Sequence, residues 1–356
     1  MENKRIVFLD YLRAIAIFMV IIVHCCEPFY VKDGQAFIAS ENDRLIVTII
    51  DSLCRACVPL FVITSGYLLL PLRTDTFTFL KRRFIRVVIP CLLWSFICMV
   101  LPVAWGEFSW EWSQELLRQW LTNFPQTNTG HFWFIYMLIG VYLFMPILSA
   151  WLKNASRREI EFFLGLWCLT TFWYYIKELS PTGYLYGEAV WNDFHILYYN
   201  AGYIGFLLMA YYIRNYISWS LKKTLLICIP MFLLGFFATA YPFYKATLST
   251  SDMYYWELPW RFTTPNVVLM TFALFMLIKQ INISKGAIYR YIYNLSYYSY
   301  GMYLSHILIL GISYQLVSPY LSTLPTILVV GAITYIGSFI LIRLLAFLPH
   351  SKYLIG

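Results

Sequence analysis

YLRAIAIFMVIIVHCC, residues 11–26, is an apolar run close to bilayer length that carries Arg13 near one end and His24 near the other. About 20 consecutive apolar residues span a hydrocarbon core as a helix. A charged group at mid-bilayer costs about 2.5–3.5 kcal/mol on insertion scales, so an ionisable residue inside such a run is a functional candidate. Eleven residues at about 100° each return Arg13 and His24 to nearly one azimuth, about 16 Å apart along the axis. The stretch therefore reads as a membrane helix with two polar groups on one internal face.

The rest of the chain fits that reading. Its 356 residues are 60% hydrophobic, 20% aromatic and only 12% charged, with a mean hydropathy of +0.64, far from the usual soluble composition. Apolar runs fall at about residues 6–27, 45–71, 85–105, 131–152, 161–176, 195–213, 223–241, 263–280, 291–313 and 325–347. The expected fold is an all-α polytopic bundle of ten transmembrane helices with both termini cytoplasmic, forming a single membrane domain over residues 1–356. The loops test this topology independently: it puts 18 of the 26 basic residues inside and 6 outside, with Arg13 and Arg55 embedded, as the positive-inside rule requires.

A net charge of +8 is then explained by topology and calls for no nucleic-acid partner; membrane lipids are the expected surroundings. Arg13 interrupts the first apolar run and no small-residue cleavage site follows it, so the first span is expected to be retained. Eight cysteines lie almost entirely within expected spans. Cys54 and Cys57 have C-x-x-C spacing without a second pair, which on a helix favours packing over metal or redox chemistry.

Several other ionisable groups are embedded. Asp51 and Arg55 stand at i and i+4 in the second span, either a structural ion pair or part of a polar path. Arg13 either snorkels to the inner boundary, paired with Asp10, or faces inward. His24 is either interfacial or a general base, its tautomer set by Glu27 or Asp51. His24, His131, His195 and His306 all map to the outer half; His131 and His195 open spans and read as interfacial. Lys81, Arg82, Arg83 and Arg86 open the third span, where they either anchor topology or clamp phosphates. The outer loops are rich in aromatics (Trp105, Trp110, Trp112, Trp120, Tyr184, Tyr186, Trp191, Tyr254, Tyr255, Trp256 and Trp260), as an interfacial belt or as sugar-stacking faces. Their twelve acidic residues argue against a polyanionic acceptor.

Five stretches together are similar to one family. LDYLRAIAIFMVIIVH has an arginine eleven residues before a histidine. CVPLFVITSGYLL follows in the second span, then KRRFIRVVIPCLLWS, HFWFIYMLIGVYLFMPIL and the late YSYGMYLSHILIL. In this order the chain resembles the acyltransferase family 3 membrane O-acyltransferases of bacteria, in the compact form without an SGNH-type partner domain. The resemblance implies a ten-span bundle in the plasma membrane that takes an acyl group, usually acetyl, from cytosolic acyl-CoA. The group passes to a hydroxyl of a cell-surface or lipid-linked glycan on the extracytoplasmic side.

It implies essential roles for Arg13 and His24, and acyl-CoA binding by Arg82 and Arg83 with Arg86 following. Arg55, Tyr67, Trp133, Tyr303 and His306 are expected to line the acceptor side or the pathway. Acyl-CoA is a donor substrate and no bound cofactor is expected; attack on a thioester needs no metal, and none is expected. A transporter or flippase of a lipid-linked glycan is the alternative, using the same embedded charges as a polar pathway. Against it, the chain shows no paired halves.

Overall fold

The computed structural model describes residues 5–32, 34–104, 114–115, 117–118, 130–179 and 198–356. It is an all-α membrane bundle; apart from a two-residue hairpin pairing Val31 with Ala36, the elements it describes are helices and short turns. Eight helical stretches among the described residues are long and apolar enough to cross a membrane. Two of the ten apolar runs are shorter: residues 161–176 fall on α7 (Arg157–Thr171) and the brief helix Trp173–Glu178, and the run at 195–213 is represented by α8 (Ile204–Tyr216).

Contacts divide the chain into two compact units. The first comprises Met1–Pro71 and Ser149–Tyr293. It holds α1 (Phe8–Cys26), α2 (Glu41–Cys54), α3 (Cys57–Leu69), α7, α8, α9 (Leu221–Ser249) and α10 (Pro265–Lys279). Polar residues set where these helices start: Ser40 Oγ accepts from Asp43 N–H at 3.1 Å, Ser220 Oγ from Lys223 N–H at 3.3 Å, and Ser156 with Glu159 forms a capping box.

The α2–α3 break falls at Arg55 and Ala56 although neither residue disfavours helix. Pro59 supplies the reason. It lacks an N–H, and its ring would clash with the carbonyl four residues earlier, that of Arg55. The helix restarts when Leu60 N–H reaches Ala56 O at 3.1 Å.

Small residues let two helix pairs approach closely, as membrane interfaces favour. A Cβ on Gly66 of α3 would lie 2.9 Å from Leu207 Cα and 3.1 Å from Leu207 O of α8. One on Gly235 of α9 would meet Asn266 O of α10 at 2.7 Å. Beside that contact Asn266 is buried and saturated: its Nδ2 donates to Thr239 Oγ1 at 2.8 Å and Pro259 O at 2.6 Å, and its Oδ1 accepts from Tyr175 at 3.0 Å.

The second unit comprises Leu72–Leu148 and Asn294–Gly356. It holds α4 (Thr76–Arg83), α5 (Ile89–Ala104), α6 (Trp133–Leu152, through Leu148), α11 (Gly286–Val317, from Asn294) and α12 (Thr323–Leu345). Asp75 caps α4, accepting from Thr78 N–H at 2.9 Å, and that bond with the Thr78 hydroxyl holds its carboxyl below the ordinary carboxylate range. A π-turn, Phe84–Val88, joins α4 to α5, with Ile89 N–H reaching back five residues to Phe84 O. Tyr300 of α11 donates to Val87 O within that turn at 2.7 Å, and Trp94 of α5 donates to Leu354 O of the short helix Lys352–Ile355 at 2.9 Å.

Candidate active site

In the first unit α1 carries both residues that opened the sequence reading, and each is half-buried. At the start of the helix Arg5 clasps Asp10 with two hydrogen bonds of 2.7 and 2.8 Å, and Tyr289 donates to the same carboxylate at 3.0 Å. Arg13 stands only at ion-pair distance, 3.9 Å from Asp10 Oδ1. The tight partner of Asp10 is thus Arg5, not Arg13. Tyr67 belongs to this end: its ring meets Phe8 edge-on at 5.3 Å, and its carbonyl accepts from Arg214 at 2.9 Å.

At the other end of α1, His24 Nδ1 hydrogen-bonds Glu27 Oε1 at 2.8 Å. Of the two carboxylates that could orient this ring, Glu27 does so. A carboxylate on Nδ1 fixes the tautomer and the ring plane. Glu27 sits in the turn Glu27–Phe29 that ends the span, so the geometry depends on where α1 stops.

The Asp51–Arg55 pair is present and buried, with Arg55 Nε donating to Asp51 Oδ1. Asp51 Oδ2 and Thr48 Oγ1, one turn apart on α2, have no hydrogen-bond partner among the described residues. The Arg55 guanidinium carbon lies over Trp260, 4.1 Å from the ring centroid. Trp260 is itself immobilised: its Nε1 donates to Ser52 Oγ at 3.0 Å, Phe243 stacks on it at 3.7 Å and 12°, and Tyr30 meets it edge-on at 5.3 Å. His24 lies within electrostatic reach of Glu27, Arg55 and Asp51 together. Trp260, expected among the outer-loop aromatics of an interfacial belt or a sugar-stacking face, is instead buried beneath Arg55.

The second unit holds the remaining candidates. Arg82 and Arg86 are exposed, whereas Arg83 turns inward, 5.7 Å from the ring centroids of both Phe79 and Tyr142. Its Nε is buried with no hydrogen-bond partner among the described residues. The three arginines of one motif therefore play two geometric parts.

Tyr303 and His306 are buried on α11; Tyr303 donates to the His131 carbonyl and His306 Nδ1 contacts Tyr303 O. His131, expected at an interface, is buried instead, its ring 5.1 Å from that of His306 at 79°. The turn Gly130–Phe132 ahead of α6 folds it inward with Phe132. Trp133, the next residue, is exposed. His195 and the loop aromatics Trp105, Trp110, Trp112, Trp120, Tyr184, Tyr186 and Trp191 lie outside the described residues. All eight cysteines are free thiols, and no group of three or more His, Cys, Asp or Glu among the described residues is arranged to hold a metal ion.

Apolar helices enclosing histidine, carboxylate and guanidinium groups define a polytopic membrane protein with ionisable side chains in its interior. A family model described as an acyltransferase domain matches residues 6–343. The chain belongs to that family, acyltransferase family 3, and is a membrane acyltransferase. Neither the curated proteins nor the solved structures compared with it contain a match.

Proposed function

We propose that the protein is an O-acyltransferase of the bacterial plasma membrane that uses acyl-CoA, acetyl-CoA in the first instance, to acylate a hydroxyl of a cell-surface or lipid-linked glycan. The reading takes ten spans with both termini cytoplasmic, which sets the Arg13 end of α1 toward the cytosol and the His24 end toward the far face. The observation that carries it is the His24–Glu27 hydrogen bond of 2.8 Å on the helix that also bears Arg13.

In this reading Arg82 and Arg86, with solvent access, and Arg83 behind them bind the CoA phosphates, for which guanidinium groups are well suited. Arg13 holds the pantetheine arm. His24, oriented by Glu27, takes the proton from the acceptor hydroxyl as its oxygen attacks the thioester carbon, then delivers that proton to the departing CoA thiolate. Tyr303 and His306 line the acceptor path. Family membership favours this chemistry over transport of a lipid-linked glycan.

The test supplies purified protein with acetyl-CoA and an oligosaccharide acceptor and follows free thiol release and acetylated product. A general base contributes typically 10²–10⁴-fold, so His24→Ala loses at least about 100-fold while folding as the wild type does. Wild-type turnover from a folded His24→Ala variant removes the assigned base, and absence of thiol release by the wild type removes the donor assignment.

A further inference from the structure

Resting on the acyltransferase reading, we infer that Arg55 is the group that stabilises the thioester oxygen as it becomes an oxyanion, with Asp51 and Trp260 as its positioning residues.

The first argument is distance. The hydroxyl that His24 deprotonates attacks the thioester carbon, so the carbonyl oxygen lies one bond from the reacting centre and within a few ångströms of the imidazole. Arg13 starts about 16 Å away along the α1 axis, and an extended arginine reaches roughly half of that. Arg13 can hold the pantetheine arm; it cannot attend the same centre as His24. Arg55 can: its charge acts on both His24 and Glu27, and it lies over Trp260, which also meets Tyr30 in the segment that follows Glu27.

The second argument is the state of the guanidinium. Its Nε is committed to Asp51, and its Cζ sits over Trp260. No described residue accepts a hydrogen bond from Nη1 or Nη2, although Arg55 is only 8% exposed. Asp51 Oδ2 is fully buried, whereas Nη1 and Nη2 are not, so the outer edge of the guanidinium opens onto the space beside the pair instead of being spent on a structural contact. Held on two sides, the group presents a fixed edge of N–H donors and needs no rearrangement when charge develops, the condition under which such donors are most effective.

The third argument is selectivity between states. With Asp51 ionised the pair is close to neutral as a unit, so it has little net attraction for the neutral thioester. As the attacking oxygen bonds to carbon, the C=O π electrons move to the carbonyl oxygen, and the Nη edge meets a full negative charge there. When the oxyanion collapses the pair of electrons returns, the C–S bond breaks and the thiolate takes the proton held by His24. Stabilisation concentrated in that interval raises kcat without tightening ground-state binding.

The experiment compares wild type, Arg55→Lys, Arg55→Ala and the double variant Asp51→Leu/Arg55→Met in detergent, measuring acetyl-CoA thiol release against acetyl-CoA concentration. Removing one oxyanion donor costs on the order of 10²–10³ in kcat. Arg55→Lys is expected to lose that much in kcat with KM for acetyl-CoA within about threefold of wild type, and added guanidinium to restore part of the Arg55→Ala rate. The double variant removes both charges without leaving one orphaned, which is often neutral for stability; it should fold and be as slow as Arg55→Lys. Arg13→Ala, run alongside, should show the opposite split, a raised KM. A folded Arg55→Lys or double variant within about threefold of wild-type kcat overturns the proposal, as does a loss confined to KM or a folded Arg55→Ala that guanidinium does not rescue. A wild type that releases no thiol at all refutes instead the acyltransferase reading beneath it.

Discussion

Replacing Asn266 by alanine probes how the floor beneath Arg55 is held. The side chain joins three separate segments: Thr239 of α9, the Pro259 carbonyl beside Trp260, and Tyr175. Interhelical hydrogen bonds in membrane proteins average about 0.6 kcal/mol each, so three bonds set a floor near 2 kcal/mol. Buried partners left unsatisfied cost about 1–3 kcal/mol apiece, and the Pro259 carbonyl and the Tyr175 hydroxyl lose partners that are short, at 2.6 and 3.0 Å. Thr239 keeps its own bond to Gly235 O at 2.7 Å, so it adds little. The expected destabilisation is about 2–4 kcal/mol, read as a shift in equilibrium unfolding by SDS in mixed micelles. Tyr175→Phe, which removes one bond, should cost about 0.5–1 kcal/mol in the same assay. A loss for Asn266→Ala below about 0.5 kcal/mol, or no larger than that for Tyr175→Phe, refutes the triple anchor.

Other perturbations have equally defined outcomes. Gly66→Ala forces a Cβ to within 2.9 Å of the Leu207 backbone; since backbone cannot swing aside, it should lose about 1–3 kcal/mol in the same unfolding assay. Glu27→Gln should keep the fold and lower the rate at saturating substrate by at least about tenfold, because the carboxylate that orients the base is gone; an unchanged kcat removes Glu27 from the mechanism. Arg82→Ala and Arg86→Ala should raise KM for acyl-CoA with kcat nearly unchanged, the signature of lost uniform binding. A change confined to kcat would contradict the phosphate-binding role.

The helical fold and the embedded charges were legible because lipid penalises anything else: only helices satisfy the backbone of an apolar run, and a charge such as Arg13 stands out inside one. The Asp51–Arg55 pair could be read from its i, i+4 spacing alone. The break at Arg55–Ala56 lies where the ring of Pro59 demands it. Trp260 was legible as an aromatic near a span but not in its role, which depends on meeting Ser52 and Arg55 across some two hundred residues of chain, a distance local pattern does not bridge. His131 misled for a related reason. A histidine at a span start resembles an interfacial one until a helix from far along the sequence, carrying Tyr303 and His306, covers it. Periodicity also could not show that Arg83 turns toward Phe79 and Tyr142 while Arg82 and Arg86 stay in solvent.

The π-turn at Phe84–Val88 accommodates one residue more than a regular α-turn would. Deleting a single residue there would let the backbone relax into ordinary α-helix and so leave helical content intact. Five residues in a π-turn and four in an α-turn sweep nearly the same angle, so Arg82 and Arg83 on one side and Trp94 on the other would keep nearly their present bearings. A residue deleted from the regular part of α5 would instead turn everything beyond it by about 100°. The wide turn works like a slack link in a chain: it absorbs a one-residue change in length that elsewhere would uncouple the basic motif from the helix it introduces.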